Sequence, residues 1–205
     1  MKKLILFDFD GVLFDSKENM ELSWHAVMKE FSIKKNFSNY KKYIGLPFRE
    51  ILLKLNIKHK HKEIEDFYQK NSIKYLNKIK PYPGVIKTIK RKDSKDFFLG
   101  IWTSKHKKRV DRVLEKYGLK FKILLTPKKG IKGKPYPDQV IKCLKNLKLS
   151  NKNVTFIGDM ESDRTAAINS KINFIFATYG FGKTKKKNTV KLSSFDKIFR
   201  IIKKS

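Results

Sequence analysis

Asp8 and Asp10 stand at the end of an apolar run, in LILFDFDGVLFDS (Leu4–Ser16). A second pair of acids, Asp159 and Asp163, follows another apolar run in VTFIGDMESD. Between them in sequence lie Thr103 and Ser104, directly after FFLGIW, and Lys134 in GKPYPD. Carboxylates that gather in one place repel unless a hard cation sits among them, and Mg²⁺ takes a few carboxylates while keeping several waters. A phosphate drawn to that cation needs more positive charge and more donors, which Lys134, Thr103, Ser104 and loop N–H groups can supply. In such a setting Asp8 is suited to attack phosphorus. Asp10 is suited to protonate the leaving oxygen and then to deprotonate water. That division of labour requires separated pKa values, with the metal holding Asp8 ionised and the neighbouring negative charge raising Asp10. Gly11 relieves crowding in the tight loop, where backbone N–H groups are expected to face the phosphate.

These residues act together only if the fold brings them to one edge. Lys3–Phe9, Phe97–Trp102, Lys122–Thr126, Val154–Gly158 and Ile172–Ala177 all read as short buried strands. Helical patterns separate them; KRVDRVLEKYG spaces Val110, Val113, Leu114 and Tyr117 on one face and stops at Gly118. The expected fold is therefore α/β, a Rossmann-like parallel sheet with helices on both faces. Ligands bind such sheets beyond the carboxyl ends of the strands, which is where the acids, hydroxyls and Lys134 fall. Taken singly, each has a simpler explanation, such as a helix N-cap or a turn. Their shared placement decides for chemistry.

Residues 17–80 break the rhythm. ENMELSWHAVMKEF, FREILLKLN and KEIEDFYQKNSIKYLNKI are amphipathic and helical, and PYPGV then marks the return to the sheet. The division expected is a core of residues 1–16 and 81–205 with a small all-helical cap, 17–80, inserted after the first strand. GKTKKKNTVK (Gly182–Lys191) reads as a solvated basic loop, and FDKIFRIIKKS as a closing helix packed on the sheet.

The 205 residues suit a core domain with a small insert, and 40% of them are hydrophobic, enough for a packed core. Lys and Arg number 49 against 19 Asp and Glu, a formal charge of +30. The lysines are spread along the whole chain, whereas a nucleic-acid footprint clusters. The charge therefore reads as composition. The lone Cys143 permits no internal disulfide and shares a helical face with Val140, Ile141, Leu144 and Leu147, which points to a core-facing thiol. The apolar start ends at Asp8, too short for a signal segment, and no run approaches the ~20 apolar residues of a membrane span. The expectation is a soluble cytoplasmic chain.

Together the residues resemble the haloacid dehalogenase superfamily of phosphotransferases, over nearly the whole chain and at four motifs. DFDGVLFDS resembles the first motif, which implies Asp8 as nucleophile, Asp10 as general acid/base and the Asp10 carbonyl on Mg²⁺. IWTSK resembles the second, with Thr103 on the transferring phosphoryl group. KPYPD resembles the third, with Lys134 steadying nucleophile and phosphate. FIGDMESD resembles the fourth, with Asp159 as a metal ligand and Asp163 as an outer or water-mediated one. The helical insert is similar to the cap of the subgroup holding phosphoglycolate phosphatase and β-phosphoglucomutase. IGLPFREIL (Ile44–Leu52) resembles the cap segment that reaches the active site there, and TYGFG (Thr178–Gly182) the end of phosphoglycolate-phosphatase-like sequences. Val12 stands where phosphatases of the group often carry Thr, and Lys171 where a Gly is usual. An acid at position 10 argues against true dehalogenases.

The resemblance implies a Mg²⁺-dependent phosphatase acting on a small phosphorylated metabolite through a phospho-aspartyl enzyme, with the cap closing over the substrate. Arg49, between the Gly45–Pro47 loop and a helix, is the cap candidate for a substrate anion. A β-phosphoglucomutase-like sugar-phosphate mutase uses the same aspartyl phosphate and is the alternative, one that Val12 keeps open. A non-catalytic anion- or nucleic-acid-binding protein is the distant third, opposed by the complete acid set. His59 and His61 have no ligand partners at zinc spacing and read as cap surface.

Overall fold

The computed structural model describes residues 3–91, 96–184, 186 and 188–204. In chain order, strand β1 (Lys3–Phe7) leads into the short strand β2 (Phe14–Asp15). Helices α1 (Lys17–Glu30), α2 (Phe37–Lys41), α3 (Phe48–Lys54) and α4 (His61–Lys74) follow, and the chain returns through β3 (Lys80–Pro81). The remainder runs α5 (Val85–Lys90), β4 (Phe97–Trp102), α6 (Lys107–Lys116), β5 (Ile123–Leu125), α7 (Asp138–Leu147), β6 (Val154–Gly158), α8 (Glu161–Asn169), β7 (Asn173–Ala177), β8 (Val190–Leu192) and α9 (Ile198–Lys204).

β1 lies between β4 and β6 in a six-stranded sheet of order β5-β4-β1-β6-β7-β8, with every pairing parallel. Phe7 is level with Ile101 on one side and Ile157 on the other. The Asp8 N–H extends that ladder to the Ile157 carbonyl at 2.8 Å. This register alone sets Asp8, Thr103 and Asp159 at one edge.

β1 is apolar at every position from Leu4 to Phe7, and all four side chains are fully buried. A strand covered on both faces needs such a run. Ile5 and Phe7 pack with Val110 and Val113 of α6 and Phe199 of α9. Leu4 and Leu6 face the opposite layer, with Val140 and Leu144 of α7 and Ala166 and Ala167 of α8. The period of two separates the layers.

Helices α1–α4 share a different cluster, centred on Trp24, Tyr40, Leu52, Ile64 and Tyr68. Inside it the Asn19 side chain donates to the carbonyls of Ser72 and Tyr75, and Ser72 Oγ donates back to Asn19 Oδ1 at 2.7 Å, pinning α1 to α4. The chain leaves and re-enters the sheet layer through one antiparallel ribbon, Phe14 opposite Pro81 and Asp15 opposite Lys80. No helix among the described residues is long and apolar enough to cross a membrane.

Three features differ from the sequence reading. β8 begins at Val190, inside the stretch read as a solvated loop; Leu192 is buried and the strand pairs with β7. Lys185 and Lys187 of that stretch lie outside the described residues. A strand of three residues with a lysine at its centre, Val190-Lys191-Leu192, has too little pattern to register as one. α2 and the β2–β3 ribbon are likewise too short for periodicity. Ile141 is 53% exposed, because α7 buries Val140 and Leu144 and turns its neighbour about 100° away.

Lys171 follows α8 with φ of 53°, in the left-handed region. A Cβ residue pays a penalty there that glycine does not, partly offset by the greater freedom of glycine in the unfolded chain. Lys171→Gly is expected to stabilise the fold by about 0.5–1 kcal/mol. Urea denaturation measures this; an unchanged or lower midpoint would show that Lys171 is unstrained.

Candidate active site

Asp8, from the end of β1, meets Asp159 and Asp163, from the end of β6 and the first turn of α8. One carboxylate oxygen from each lies within 4.8 Å of the others, and all three side chains are buried. The buried side chain of Lys134 reaches in from the loop after β5, with Nζ 3.0 Å from Asp8 Oδ1 and 2.6 Å from Asp163 Oδ1. With all three ionised, three negative charges against one positive would leave two uncompensated in a buried site.

The backbone accounts for some of the oxygens. Asp163 Oδ2 accepts from the N–H groups of Asp159 and Met160, the usual use of an acid in a first helical turn. Asp8 Oδ1 also accepts from the Phe9 N–H at 2.7 Å. Asp159 Oδ2 accepts from the Phe181 N–H at 2.7 Å, so TYGFG closes over the cluster. Asp159 Oδ1 is buried with no hydrogen-bond partner. An unsatisfied buried acceptor costs about 1–3 kcal/mol. Three hard oxygen donors, an orphaned lone pair and a surplus of two negative charges fit a divalent cation.

Glycine makes the closeness possible. Gly11 has φ of +84°, and a Cβ there would fall 2.2 Å from Asp159 Oδ2. At Gly180 a Cβ would fall 2.3 Å from Asp159 Cβ. The Gly11 N–H, expected to face the phosphate, instead donates to the Phe14 carbonyl at 2.9 Å. The role of Gly11 is therefore the room it leaves.

Asp10 sits to one side of the cluster. Its Oδ1 accepts from Ser16 Oγ at 2.5 Å and from Lys105 Nζ at 2.7 Å, and its Oδ2 from the same ammonium at 3.0 Å. Beyond it α1–α4 close a cavity of about 50 Å³, where Tyr40, Ile44, Phe48 and Tyr68 face Asp8, Asp10, Thr103 and Lys105. Ile44, Gly45, Leu46 and Phe48 reach it from the segment singled out in sequence.

Other expected site residues take different positions. Thr103 is buried and Ser104 also lines the cavity, but Ser104 Oγ donates to the Gly45 carbonyl, tying β4 to the helical insert at 2.9 Å. Arg49 is exposed and does not line this cavity, although its neighbour Phe48 does. Val12 is fully buried in the hydrophobic core, and only its carbonyl is engaged, by the Tyr179 hydroxyl. His59 is exposed, and His61 holds the Ile57 carbonyl.

Lys105 and Arg109 were not among the expected residues. Both are buried, and both line the cavity. Lysines fill this sequence, so Lys105 stands out only by following Thr103 and Ser104 directly. Arg109 sits beside Val110 and four residues before Val113, at the margin of the buried stripe of α6.

Burial sets the protonation states. It raises Asp8 to about 7, with Asp163 and Asp10 adding to the rise and Lys134 opposing it. Burial likewise holds Asp159 well above the ordinary carboxylate range, reinforced by Asp163 and Asp8. Burial alone would lower Lys134, but the Asp163 and Asp8 carboxylates outweigh it and keep the ammonium charged. Burial, with Arg109 adding, lowers Lys105 to about 8.

The chain matches the family model described as haloacid dehalogenase-like hydrolase over residues 5–177. It belongs to that family. It is 29% identical over 188 residues to a phosphoglycolate phosphatase of Aquifex aeolicus, covering 88% of this chain and 87% of the relative. It is 27% identical over 165 residues to the pyrophosphatase PpaX of Oceanobacillus iheyensis, covering 78% and 76%. The crystal structure of a predicted phosphatase from Clostridium acetobutylicum superposes with a TM-score of 0.87 at 23% identity, covering all of both chains, which establishes the fold.

The raised carboxylates predict how a cation stabilises the protein. The folded pKa of Asp8, about 7, exceeds its unfolded value of 3.8. The folded state therefore binds the extra proton in that interval, and stability without cation falls as pH rises through it. A divalent cation competes with that proton. The thermal shift produced by Mg²⁺ is expected to be larger at pH 8 than at pH 5.5. Scanning calorimetry at both values tests this; an equal or reversed dependence would count against cation binding at this cluster.

Proposed function

We propose that the chain is a Mg²⁺-dependent phosphatase that hydrolyses a small phosphorylated metabolite through a phospho-aspartyl intermediate at Asp8. The observation that carries the reading is the Asp8 carboxylate, held by Lys134 through one oxygen beside the orphaned oxygen of Asp159, at the floor of a cavity that also contains Asp10. The names of the phosphoglycolate phosphatase and pyrophosphatase relatives support the same class of reaction. The helical unit of residues 17–80 serves as a cap over a core of residues 1–16 and 81–205, with the β2–β3 ribbon as its two connections.

Asp8, Asp159 and Asp163 would hold the cation, with the Asp10 carbonyl. When bound, Mg²⁺ supplies charge that keeps Asp8 ionised and neutralises the phosphoryl oxygens. An Asp8 carboxylate oxygen attacks phosphorus, forming the O–P bond as the bond to the leaving oxygen breaks. Asp10 gives its proton to that oxygen. Asp10 then takes a proton from water, the water attacks phosphorus, and the Asp8 O–P bond breaks to release phosphate. Lys134 stays charged throughout and balances Asp8 and the transferring group. Thr103 lies at the β4 end to hold a phosphoryl oxygen. Closure of the cap excludes bulk water.

A phosphate-release screen over phosphorylated metabolites with Mg²⁺ tests the reading. Phosphate is expected, and a phosphate-free isomerisation would establish the mutase instead. EDTA is expected to stop release and Mg²⁺ to restore it. Asp8→Asn is expected to abolish release with the fold intact; substantial turnover would remove Asp8 as nucleophile.

Asp10→Asn is expected to lower kcat by about 10²–10⁴ with alkyl phosphates and much less with p-nitrophenyl phosphate, whose leaving group needs no proton. Equal losses would remove Asp10 as the acid.

A further inference from the structure

Arg109 occupies an unusual position. It comes from α6 of the sheet layer and is 6% exposed, and its Nε and Nη1 are buried without hydrogen-bond partners. Among the described residues no carboxylate lies within ion-pair distance of it. Its guanidinium lies 5.5 Å from the centroid of the Tyr68 ring, a contact that restrains its plane. It lines the same cavity as Asp8 and Asp10.

The other basic side chains at the site are already matched. Lys134 is held by Asp8 and Asp163, and Lys105 by Asp10. His106 bonds Glu65 of α4. Arg109 bonds the Tyr68 side chain, but its Nε and Nη1 still lack an acceptor among the described residues, and no carboxylate balances its charge. A buried, unpaired guanidinium is costly, and its planar fork of donors matches carboxylate and phosphate geometry.

We propose that Arg109 selects the substrate by binding a second anionic group, carboxylate or phosphate, on the leaving portion of the phosphoryl compound. This rests on the phosphatase reading above. Arg109, Asp8 and Asp10 line one cavity, so a single bound compound can present its phosphoryl group to Asp8 and a second anion to Arg109. The role assigned from sequence to Arg49 falls instead to a residue beneath the cap, so specificity is set on the core side and the cap supplies Tyr68 as its platform.

The test compares three short substrates at equal Mg²⁺: an alkyl phosphate with no second charge, its carboxylate-terminated counterpart, and pyrophosphate. The wild type is expected to favour one or both charged compounds in kcat/KM by at least ~30-fold, the scale of a buried charge pair. The favoured compound identifies the anion. In Arg109→Gln that ratio is expected to collapse to within a few-fold, mainly through KM, and Arg109→Lys should recover part of it. Calorimetry with phosphonoacetate against ethylphosphonate reads the same preference without turnover. A wild type with no preference, or an Arg109→Gln protein that keeps it, overturns the proposal. Selective phosphonoacetate binding with no phosphate released from any substrate leaves the Arg109 site standing and removes the phosphatase reading. If Arg109→Gln fails to fold, the wild-type ratio and the Arg109→Lys ratio decide.

Discussion

The site depends on a buried charge imbalance. Asp8, Asp159 and Asp163 are taken out of water together, with one ammonium, Lys134, among them. Desolvating each carboxylate costs several kcal/mol, and mutual repulsion adds to that. Lys134 and the backbone donors at Phe9, Met160 and Phe181 recover part of it. With all three ionised, what would be left over is two negative charges and the bare oxygen on Asp159. That remainder fits the cluster to a divalent cation, where full neutralisation by lysines would leave an inert salt-bridge network.

The parallel sheet is what makes the imbalance affordable. β1, β4 and β6 lie side by side with hardly any stagger, so their next residues converge without loop flexibility. The cluster is set on a dry, close-packed layer in which Leu4, Ile5, Leu6 and Phe7 are fully buried. The same packing demands glycine where backbones crowd the acids, at Gly11 and Gly180. These acids are held apart from solvent by rigid elements, which preorganises the site at the cost of local stability.

Over this floor, α1–α4 form a layer with its own apolar cluster, and among the described residues the two layers meet through few polar contacts. Ser104 holds the Gly45 carbonyl, and His106 holds Glu65. A layer with its own core and a thin polar seam can move as a body. The seam also explains why Ser104 serves the cap rather than the phosphate in this arrangement, and why the cavity carries aromatic walls from one layer and charged groups from the other.

Much of this was legible in the sequence. Four positions, Asp8, Asp10, Lys134 and Asp159, declare themselves: Asp8 and Asp159 directly follow short apolar runs, Asp10 stands two residues after Asp8, and Lys134 lies between Gly133 and Pro135. The helical insert is visible because its period of 3.6 interrupts a succession of strands. Other features were not legible. Lys105 and Arg109 are two cations among 49, and nothing in their immediate neighbours marks them as buried. Their burial follows from contacts between elements distant in sequence, Tyr68 of α4 beside Arg109 and Asp10 beside Lys105. Arg49 and Ile141 show the converse: local pattern assigned them to the site and to the core, and helix rotation turned both toward solvent. The sequence by itself determined which acids stand at the carboxyl edge of the sheet, because strand ends and the residues that follow them are local facts. Tertiary structure alone decided which buried cation is left without a carboxylate, because pairing depends on distances between elements that sequence spacing does not contain.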